Sequence, residues 1–148
     1  ERHKAARSAE GGYHSRNMTD RVREMEARMT EDLRVRRSVS DLAQEYGVGI
    51  STVKKYFQQI YGESPYAHLK RRRMEEAAFL LTTTGQSIAQ IAETVGYQNT
   101  SKFSAAFRDI YGQSPTQYRR TSELLWMSRN SLADGTVTMS HKAGRKRS

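Results

Sequence analysis

The residues that most often carry chemistry are few in this sequence and lie far apart. Cysteine is absent, which excludes disulfides, thiolate metal sites and cysteine nucleophiles. The four histidines have no metal-ligand spacing; they are His3, His14, His68 and His141. The sequence contains neither a glycine-rich phosphate loop nor a nucleophile elbow. We therefore expect no catalytic residue, no metal site and no cofactor, and predict that the protein is not an enzyme.

The sequence does offer positive charge. Its 148 residues include 25 Lys and Arg against 16 Asp and Glu, which gives a net charge of +9 and a pI near 10.0. Such a balance favours a polyanionic partner, nucleic acid above all. The excess is spread evenly, because residues 1–37, 38–120 and 121–148 each carry a net charge of +3. Attraction of the middle segment for nucleic acid must therefore depend on where its charges lie.

Composition divides the chain into three parts. Only 36% of the residues are hydrophobic, and they are scarce at both ends. We predict a disordered linker over residues 1–17, a folded domain over residues 18–120 and a mostly disordered basic tail over residues 121–148. The longest apolar run, Ala77–Leu81, is too short to cross a bilayer, and the start of the chain lacks the apolar segment of a signal peptide. These observations predict a cytoplasmic location without membrane association.

Between the ends, the spacing of apolar residues is helical. One amphipathic stripe near the start consists of Val22, Met25, Met29 and Leu33. Ser64-Pro65 is typical of a helix start, with serine as the N-cap and proline in the first turn, and it predicts a long helix over residues 65–81. No run of alternating β-branched residues indicates a strand. The predicted class is all-α.

The sequence also repeats itself at about fifty residues. The segment Gln59–Pro65 (QIYGESP) recurs as Asp109–Pro115 (DIYGQSP), and Leu42-Ala43 recurs as Ile91-Ala92. The offset is 49 upstream and 50 downstream, so the second unit has one extra residue in its turn. A match this specific is not expected from composition alone.

Each repeat has the sequence pattern of a helix-turn-helix motif. A short helix with an alanine on its packing face is followed by a glycine, Gly47 or Gly96, and by a second helix of about ten residues. Both units open with a capping pair, Ser38 with Asp41 and Ser87 with Gln90. We place the two motifs at about residues 38–62 and 87–112.

With these motifs, residues 38–120 resemble the DNA-binding domain of the AraC/XylS family of bacterial transcription regulators. In the second half the matching residues are Ile88–Ala92, Gly96-Tyr97, Ser101, Phe103, Phe107, Gly112, Ser114-Pro115 and Tyr118-Arg119. In the first half they are Leu42-Ala43, Gly47, Phe57, Ser64-Pro65, Arg73-Met74, Ala77 and Leu80-Leu81. The resemblance implies two helix-turn-helix subdomains joined by a long linker helix, each placing its second helix in a major groove. It implies a sequence-specific regulator of transcription whose partner is double-stranded DNA.

The candidate DNA-binding residues are exposed positions of each second helix, most of them near its start. In the first helix they are Ser51, Thr52, Lys54 and Lys55. In the second helix they are Asn99, Thr100, Ser101, Lys102, Ser104, Ala105 and Arg108. Lysines can donate to guanine O6 and N7, and hydroxyls can bind base edges or phosphates, although two lysines can also be an ordinary solvated face.

Two positions depart from what the resemblance implies. Ala105 stands where the family often has a long polar residue, and alanine offers at most an apolar contact to a thymine methyl. The second helix is therefore expected to contact mainly phosphates, through Lys102 and Arg108. Gly49 stands where a serine cap is usual, so the first recognition helix is expected to begin less firmly.

Phosphate contacts elsewhere have weaker support. In the basic run Lys70–Arg73, we select Lys70 and Arg71 for phosphate, while the pairs Arg71–Glu75 and Arg72–Glu76 favour a structural role for that run. The helix starts at Ser64 and Ser114 could hold phosphates or simply cap their helices. The resemblance implies that Arg73 ties the linker helix to a subdomain, and that His68, where tyrosine is common, serves packing.

Two other functions remain open at this point. A non-specific architectural nucleic-acid-binding protein would also explain Ala105 and the basic tail. A protein-interaction module could contact RNA polymerase or a partner chain through Met18–Arg37. The resemblance further implies an effector or dimerisation domain, and we expect it upstream of Glu1 because no segment here has a β-rich pattern.

Overall fold

The computed structural model of the chain describes residues 18–133. This range contains seven helices and no strand: residues 18–30 (α1), Val39–Glu45 (α2), Ile50–Tyr61 (α3), Pro65–Thr83 (α4), Ile88–Thr94 (α5), Thr100–Tyr111 (α6) and Pro115–Ala133 (α7). The predicted all-α class is confirmed. The predictions for residues 1–17 and for the closing basic run Lys142–Arg147 fall outside the described residues.

The repeat in the sequence is a repeat of three helices. The helices α2 and α5 are each seven residues long, α3 and α6 are twelve, and α4 and α7 are nineteen. Glycines at matching turns all have a left-handed backbone, which β-carbon sterics make unfavourable for other residues: Gly47, Gly62, Gly96 and Gly112. The glycines that recur in the sequence therefore have the same left-handed conformation in both units.

The side chains that open the helices act as caps. The Ser38 hydroxyl accepts a hydrogen bond from the Asp41 backbone N–H at 3.2 Å. Ser87 and Gln90 form a full capping box, with bonds of 3.1 Å to the Ser87 hydroxyl and 2.9 Å to the Gln90 side chain. Each bond satisfies an amide that the helix itself leaves without a partner.

Two hydrophobic cores are built around one shared helix. The first core joins α1, α2 and α3 through residues such as Met25, Leu42 and Phe57, and it includes Leu69 of α4. The second core joins α5 and α6 to the rest of α4; its α4 members are Met74, Ala77, Ala78 and Leu81. Consecutive turns of α4 thus belong to different cores, which makes this helix a rigid connector between the two units.

The last helix extends further than the sequence predicted. The tail was expected to begin at residue 121, but α7 continues to Ala133. The prediction was based on the lack of residues that could pack into a core, and the segment is indeed exposed, with Leu124, Trp126 and Leu132 at 60%, 65% and 77%. It is helical because residues 116–133 contain neither proline nor glycine and include several strong helix formers.

None of the helices in residues 18–133 combines the length and the apolarity needed to cross a membrane.

Candidate nucleic-acid interface

The first candidate surface is the start of α3. Val53 and Phe57 are fully buried in the first core, which turns the opposite side of the helix to solvent. Ser51, Lys54 and Lys55 are exposed there and Thr52 is half-buried, so the four predicted residues lie together on the first two turns. Neither lysine forms an ion pair with another described residue, and both ammonium groups are available to a ligand.

The start of α3 differs from the start of α6 in its cap. Gly49 precedes α3 and provides no side-chain bond, as the sequence predicted. Asn99, its counterpart in the second unit, accepts a hydrogen bond from the Lys102 backbone N–H at 2.9 Å. Asn99 therefore lies before the helix, and its side-chain oxygen is already used by the cap.

The second candidate surface is the start of α6. Phe103 and Phe107 are fully buried, and the exposed predicted residues are Thr100, Ser101, Lys102, Ala105 and Arg108. Ser104 is only half-buried rather than exposed. Arg108 lies in the last turn of α6, about 12 Å along the axis from Thr100. The structure thus groups the predicted residues at the start of the helix but leaves Arg108 apart from them.

The two basic residues selected for phosphate already have carboxylate partners. Lys70 Nζ lies 2.5 Å from Asp109 Oδ2, which links α4 to α6. Arg71 pairs with Glu75 at 2.7 Å and with Glu63, whose pKa is lowered first by this arginine and then by the neighbouring His68. These pairs support the structural role, and a phosphate contact by either residue stays a prediction.

One predicted ion pair was wrong. Arg72 contacts Glu75 at 3.4 Å and Glu26 of α1 at 3.8 Å instead of Glu76. The packing of α1 against α4 brings Glu26 within reach, and this long-range contact is invisible to helical spacing.

Ser64 and Ser114 act as caps in this structure. The Ser64 hydroxyl accepts from the Ala67 N–H at 3.2 Å. Ser114 and Gln117 exchange two bonds of 3.1 Å, a reciprocal capping box. Both hydroxyls are therefore occupied, and a phosphate at either helix start stays a prediction.

Arg73 ties the two units together. This buried guanidinium donates through Nη1 to the Val95 carbonyl oxygen at 2.8 Å and to the Leu33 carbonyl oxygen. Burial, followed by the nearby charge of Arg36, lowers the pKa of Arg73. The expectation that Arg73 joins the linker helix to a subdomain is confirmed, and in fact it joins both.

His68 packs in the first core and also forms polar contacts that the sequence did not reveal. Its ring lies 4.5 Å from that of Tyr61 and 5.6 Å from that of Phe57. Nδ1 lies 3.0 Å from Glu63 Oε2 and Nε2 lies 2.8 Å from Glu26 Oε2. The packing role is confirmed, and His68 additionally connects α1 to α4.

No group of three or more His, Cys, Asp or Glu side chains in residues 18–133 is arranged to hold a metal ion.

The starts of α3 and α6 carry exposed polar residues, and one rigid frame holds both helices. This arrangement defines a helix-turn-helix protein that binds DNA.

Comparison with known proteins identifies the family. The profile of a helix-turn-helix domain family matches residues 42–121, more than half of the chain. The chain belongs to this family, which supplies the DNA-binding domains of sequence-specific AraC-type transcription regulators and is not a family of enzymes.

Two curated relatives show the extent of the similarity. The regulator ExsA of Pseudomonas aeruginosa is 35% identical over 82 residues, which are 55% of this chain and 30% of ExsA. The virulence activator VirF of Yersinia enterocolitica is 37% identical over 83 residues, 56% of this chain and 31% of VirF. The chain therefore spans about a third of the length of the curated relatives it matches.

Solved structures share the fold. The C-terminal domain of AraT, a response regulator from Geobacillus stearothermophilus, superposes with a TM-score of 0.65 at 34% identity, covering 68% of this chain and 84% of that one. The DNA-binding domain of AdpA, determined in complex with a target DNA, gives a TM-score of 0.64 at 27% identity, covering 68% and 90%.

Proposed function

We propose that this chain recognises an asymmetric DNA site by placing the starts of α3 and α6 in successive major grooves. The observation that carries this proposal is the duplicated unit, with two exposed recognition helices fixed to one connector. The nineteen residues of α4 span about 28 Å at 1.5 Å per residue. Major grooves on one face of DNA recur at about 34 Å, so a connector of this size plus the width of the units fits the spacing.

The two half-sites are unlike because the units are direct repeats with different side chains. Lys54 and Lys55 present donors suited to guanine O6 and N7, with Ser51 and Thr52 beside them. At the matching positions of α6 stand Ser104 and Ala105. We therefore propose that the first half-site contributes most of the sequence discrimination and the second contributes mainly affinity.

The test is selection of bound sequences from random duplex DNA by the 148-residue chain at physiological salt. We expect enrichment of a two-part, non-palindromic motif with its halves about one helical turn apart. Lys54→Ala or Lys55→Ala should relax the preference at one or two base pairs of the first half and cost about 1–3 kcal/mol there. The charge-matched control is Arg129→Ala on exposed α7, which should leave the motif unchanged.

Two results would contradict this proposal. If the chain bound all duplexes equally, or if the lysine variants weakened every sequence by the same factor, the architectural function favoured by Ala105 would be the better interpretation.

The relatives extend well beyond the matched region, so we also propose that the complete protein has an effector or dimerisation domain outside residues 18–133. A regulator that binds the bacterial chromosome works in the cytoplasm, and we propose that location for it.

A further inference from the structure

A groove next to the second recognition helix is lined by basic residues from a distant part of the chain. The loop between α1 and α2, here called the basic loop (residues 32–37), lies against the turn between α5 and α6. The residues that line the groove are Arg34, Arg36, Glu93, Gly96, Tyr97, Gln98, Asn99 and Lys102. The groove therefore combines cations of the first unit with the start of α6.

Arg36 is held in place within this groove. Its Nε donates to the Gly96 carbonyl oxygen at 2.6 Å, and its guanidinium carbon lies 4.6 Å from the centre of the Tyr97 ring. The backbone of the loop is itself fixed by the bond from Arg73 to the Leu33 carbonyl oxygen. The Nη groups of Arg36 have no hydrogen-bond partner in residues 18–133, and the residue is exposed. A positioned guanidinium with free donors is suited to bind phosphate with little loss of side-chain entropy.

Two of the three basic side chains that line the groove have no acidic partner in residues 18–133 and are available to bind an anion. Arg34 is held by Asp32, with Nε and Nη2 each 3.2 Å from a carboxylate oxygen, and it also lies in the field of Glu93. Arg36 and Lys102 form no ion pair with a described residue. Lys102 is the third residue of α6, and Arg36 lines the same protein groove as Lys102. Both unpaired cations therefore lie beside the start of the helix that we propose enters the major groove of the DNA.

The first unit also has an arginine on a ring at its turn, since the Arg28 guanidinium carbon lies 5.6 Å from the centre of the Tyr46 ring, but this arginine is paired with Glu45 at 2.9 Å. The residue that matches Tyr97 is Val48, which is buried and offers no ring for a guanidinium to stack on. Conversely, α6 lacks the adjacent lysines Lys54 and Lys55 of α3. The basic loop supplies positive charge to the recognition helix that has less of its own.

We infer that Arg36 of the basic loop and Lys102 of α6 together bind a phosphodiester group of the DNA strand that borders the second half-site. The inference rests on the proposed function and assigns part of the second half-site affinity to a loop outside both helix-turn-helix motifs. Its ligand is a backbone phosphate, so the contact contributes affinity without reading sequence.

The test compares two duplexes, one carrying both selected half-sites and one carrying only the first, titrated at several salt concentrations. Arg36→Gln should weaken binding to the complete site by about tenfold and lower the salt slope by about 0.9, the value for one phosphate contact. It should leave the selected base preferences unchanged and have no effect on the duplex with the first half-site alone. Lys102→Ala, which removes a side chain without internal bonds, should act in the same way.

Arg37→Ala is the matched control. Arg37 is an exposed arginine in the same loop but does not line the groove, so its loss should cost much less affinity. Thermal unfolding of each variant checks that the Arg36 substitution leaves the fold intact. Equal effects of Arg36→Gln and Arg37→Ala, an equal effect on both duplexes, or no effect on the complete site would each overturn the inference. Failure of the unsubstituted chain to select any motif would instead reject the proposed function.

Discussion

At the scale of single residues, Gly96 is where backbone conformation and packing are most closely coupled. Its φ is +92°, and a β-carbon at this position would overlap both the Arg73 guanidinium and the Leu33 carbonyl oxygen. Gly47, the matching turn glycine of the first unit, has a φ of +67°, and a β-carbon added to it would meet no atom within 4 Å. Substitutions at the two glycines can therefore distinguish the cost of a left-handed backbone from the cost of displacing Arg73.

We predict that Gly47→Ala costs about 1–2 kcal/mol of unfolding free energy, the penalty of a left-handed conformation for a residue with a β-carbon. Gly96→Ala should cost about 2 kcal/mol more, because it also breaks the hydrogen bonds of the buried Arg73 guanidinium. Urea unfolding of both variants measures the difference. Equal losses would show that the Arg73 contacts yield to the methyl group at little cost.

Contacts between residues far apart in the sequence limit how much of the structure could be predicted. Exposed residues on α3 follow directly from helical spacing, since Val53 and Phe57 fix the buried side. The contacts of His68 with Glu26 and of Arg36 with Gly96 span 42 and 60 residues. The arginines at positions 34, 36 and 37 are neighbours in the sequence, but only packing shows that their loop reaches the second unit.

At the scale of helices, the repeat made most boundaries predictable, and its exceptions concern helix ends. Capping serines mark the starts of α2, α4 and α5, and left-handed glycines mark the ends of α2, α3, α5 and α6. The extent of α7 was missed because helix formation there depends on propensity rather than on burial. The other exception is Gly49, where the first recognition helix begins without a side-chain cap.

We predict that Gly49→Asn stabilises the protein by about 0.5 kcal/mol by giving α3 the cap that Asn99 gives α6. The backbone at Gly49, with φ −69° and ψ 147°, suits any N-cap residue, and a β-carbon there meets only Thr52 Oγ1 at 4.0 Å. Thermal unfolding measures the change, and Asn99→Gly is the reciprocal variant, expected to lose a few tenths of a kcal/mol. A fall in stability on Gly49→Asn would mean that the amide side chain does not reach the free N–H groups.

At the scale of the whole molecule, the relative orientation of the two recognition helices depends on α4 and on Arg73. The helix contributes Leu69 to one core and Met74 to the other, and Arg73 lies between these two residues in the sequence. Its guanidinium bonds to the carbonyl oxygens of Leu33 in the first unit and Val95 in the second. Loss of this side chain should loosen one unit relative to the other while leaving both cores in place.

We predict that Arg73→Met lowers the free energy of unfolding by about 1–3 kcal/mol, because two buried carbonyl groups lose their donor. Binding to a duplex with both half-sites should weaken about tenfold, since the helices are no longer held at the spacing of the grooves. Binding to the first half-site alone should not change, and the loss of unfolding free energy distinguishes this variant from Arg36→Gln, which should leave the fold intact. Equal weakening on both duplexes would indicate damage to the first unit itself.

The position of Trp126 has a consequence for spectroscopy. It is the only tryptophan of the chain, it is 65% exposed on α7 beside the end of α4, and it is not a member of either hydrophobic core. The emission of an indole ring moves to longer wavelength when water surrounds it, so the folded protein should already emit near the wavelength of the unfolded chain. Intrinsic tryptophan fluorescence would then change little when the DNA-binding units unfold. Tyrosine absorbance is the better optical signal for the cores, because Tyr61 and Tyr111 lie against Phe57 and Phe107.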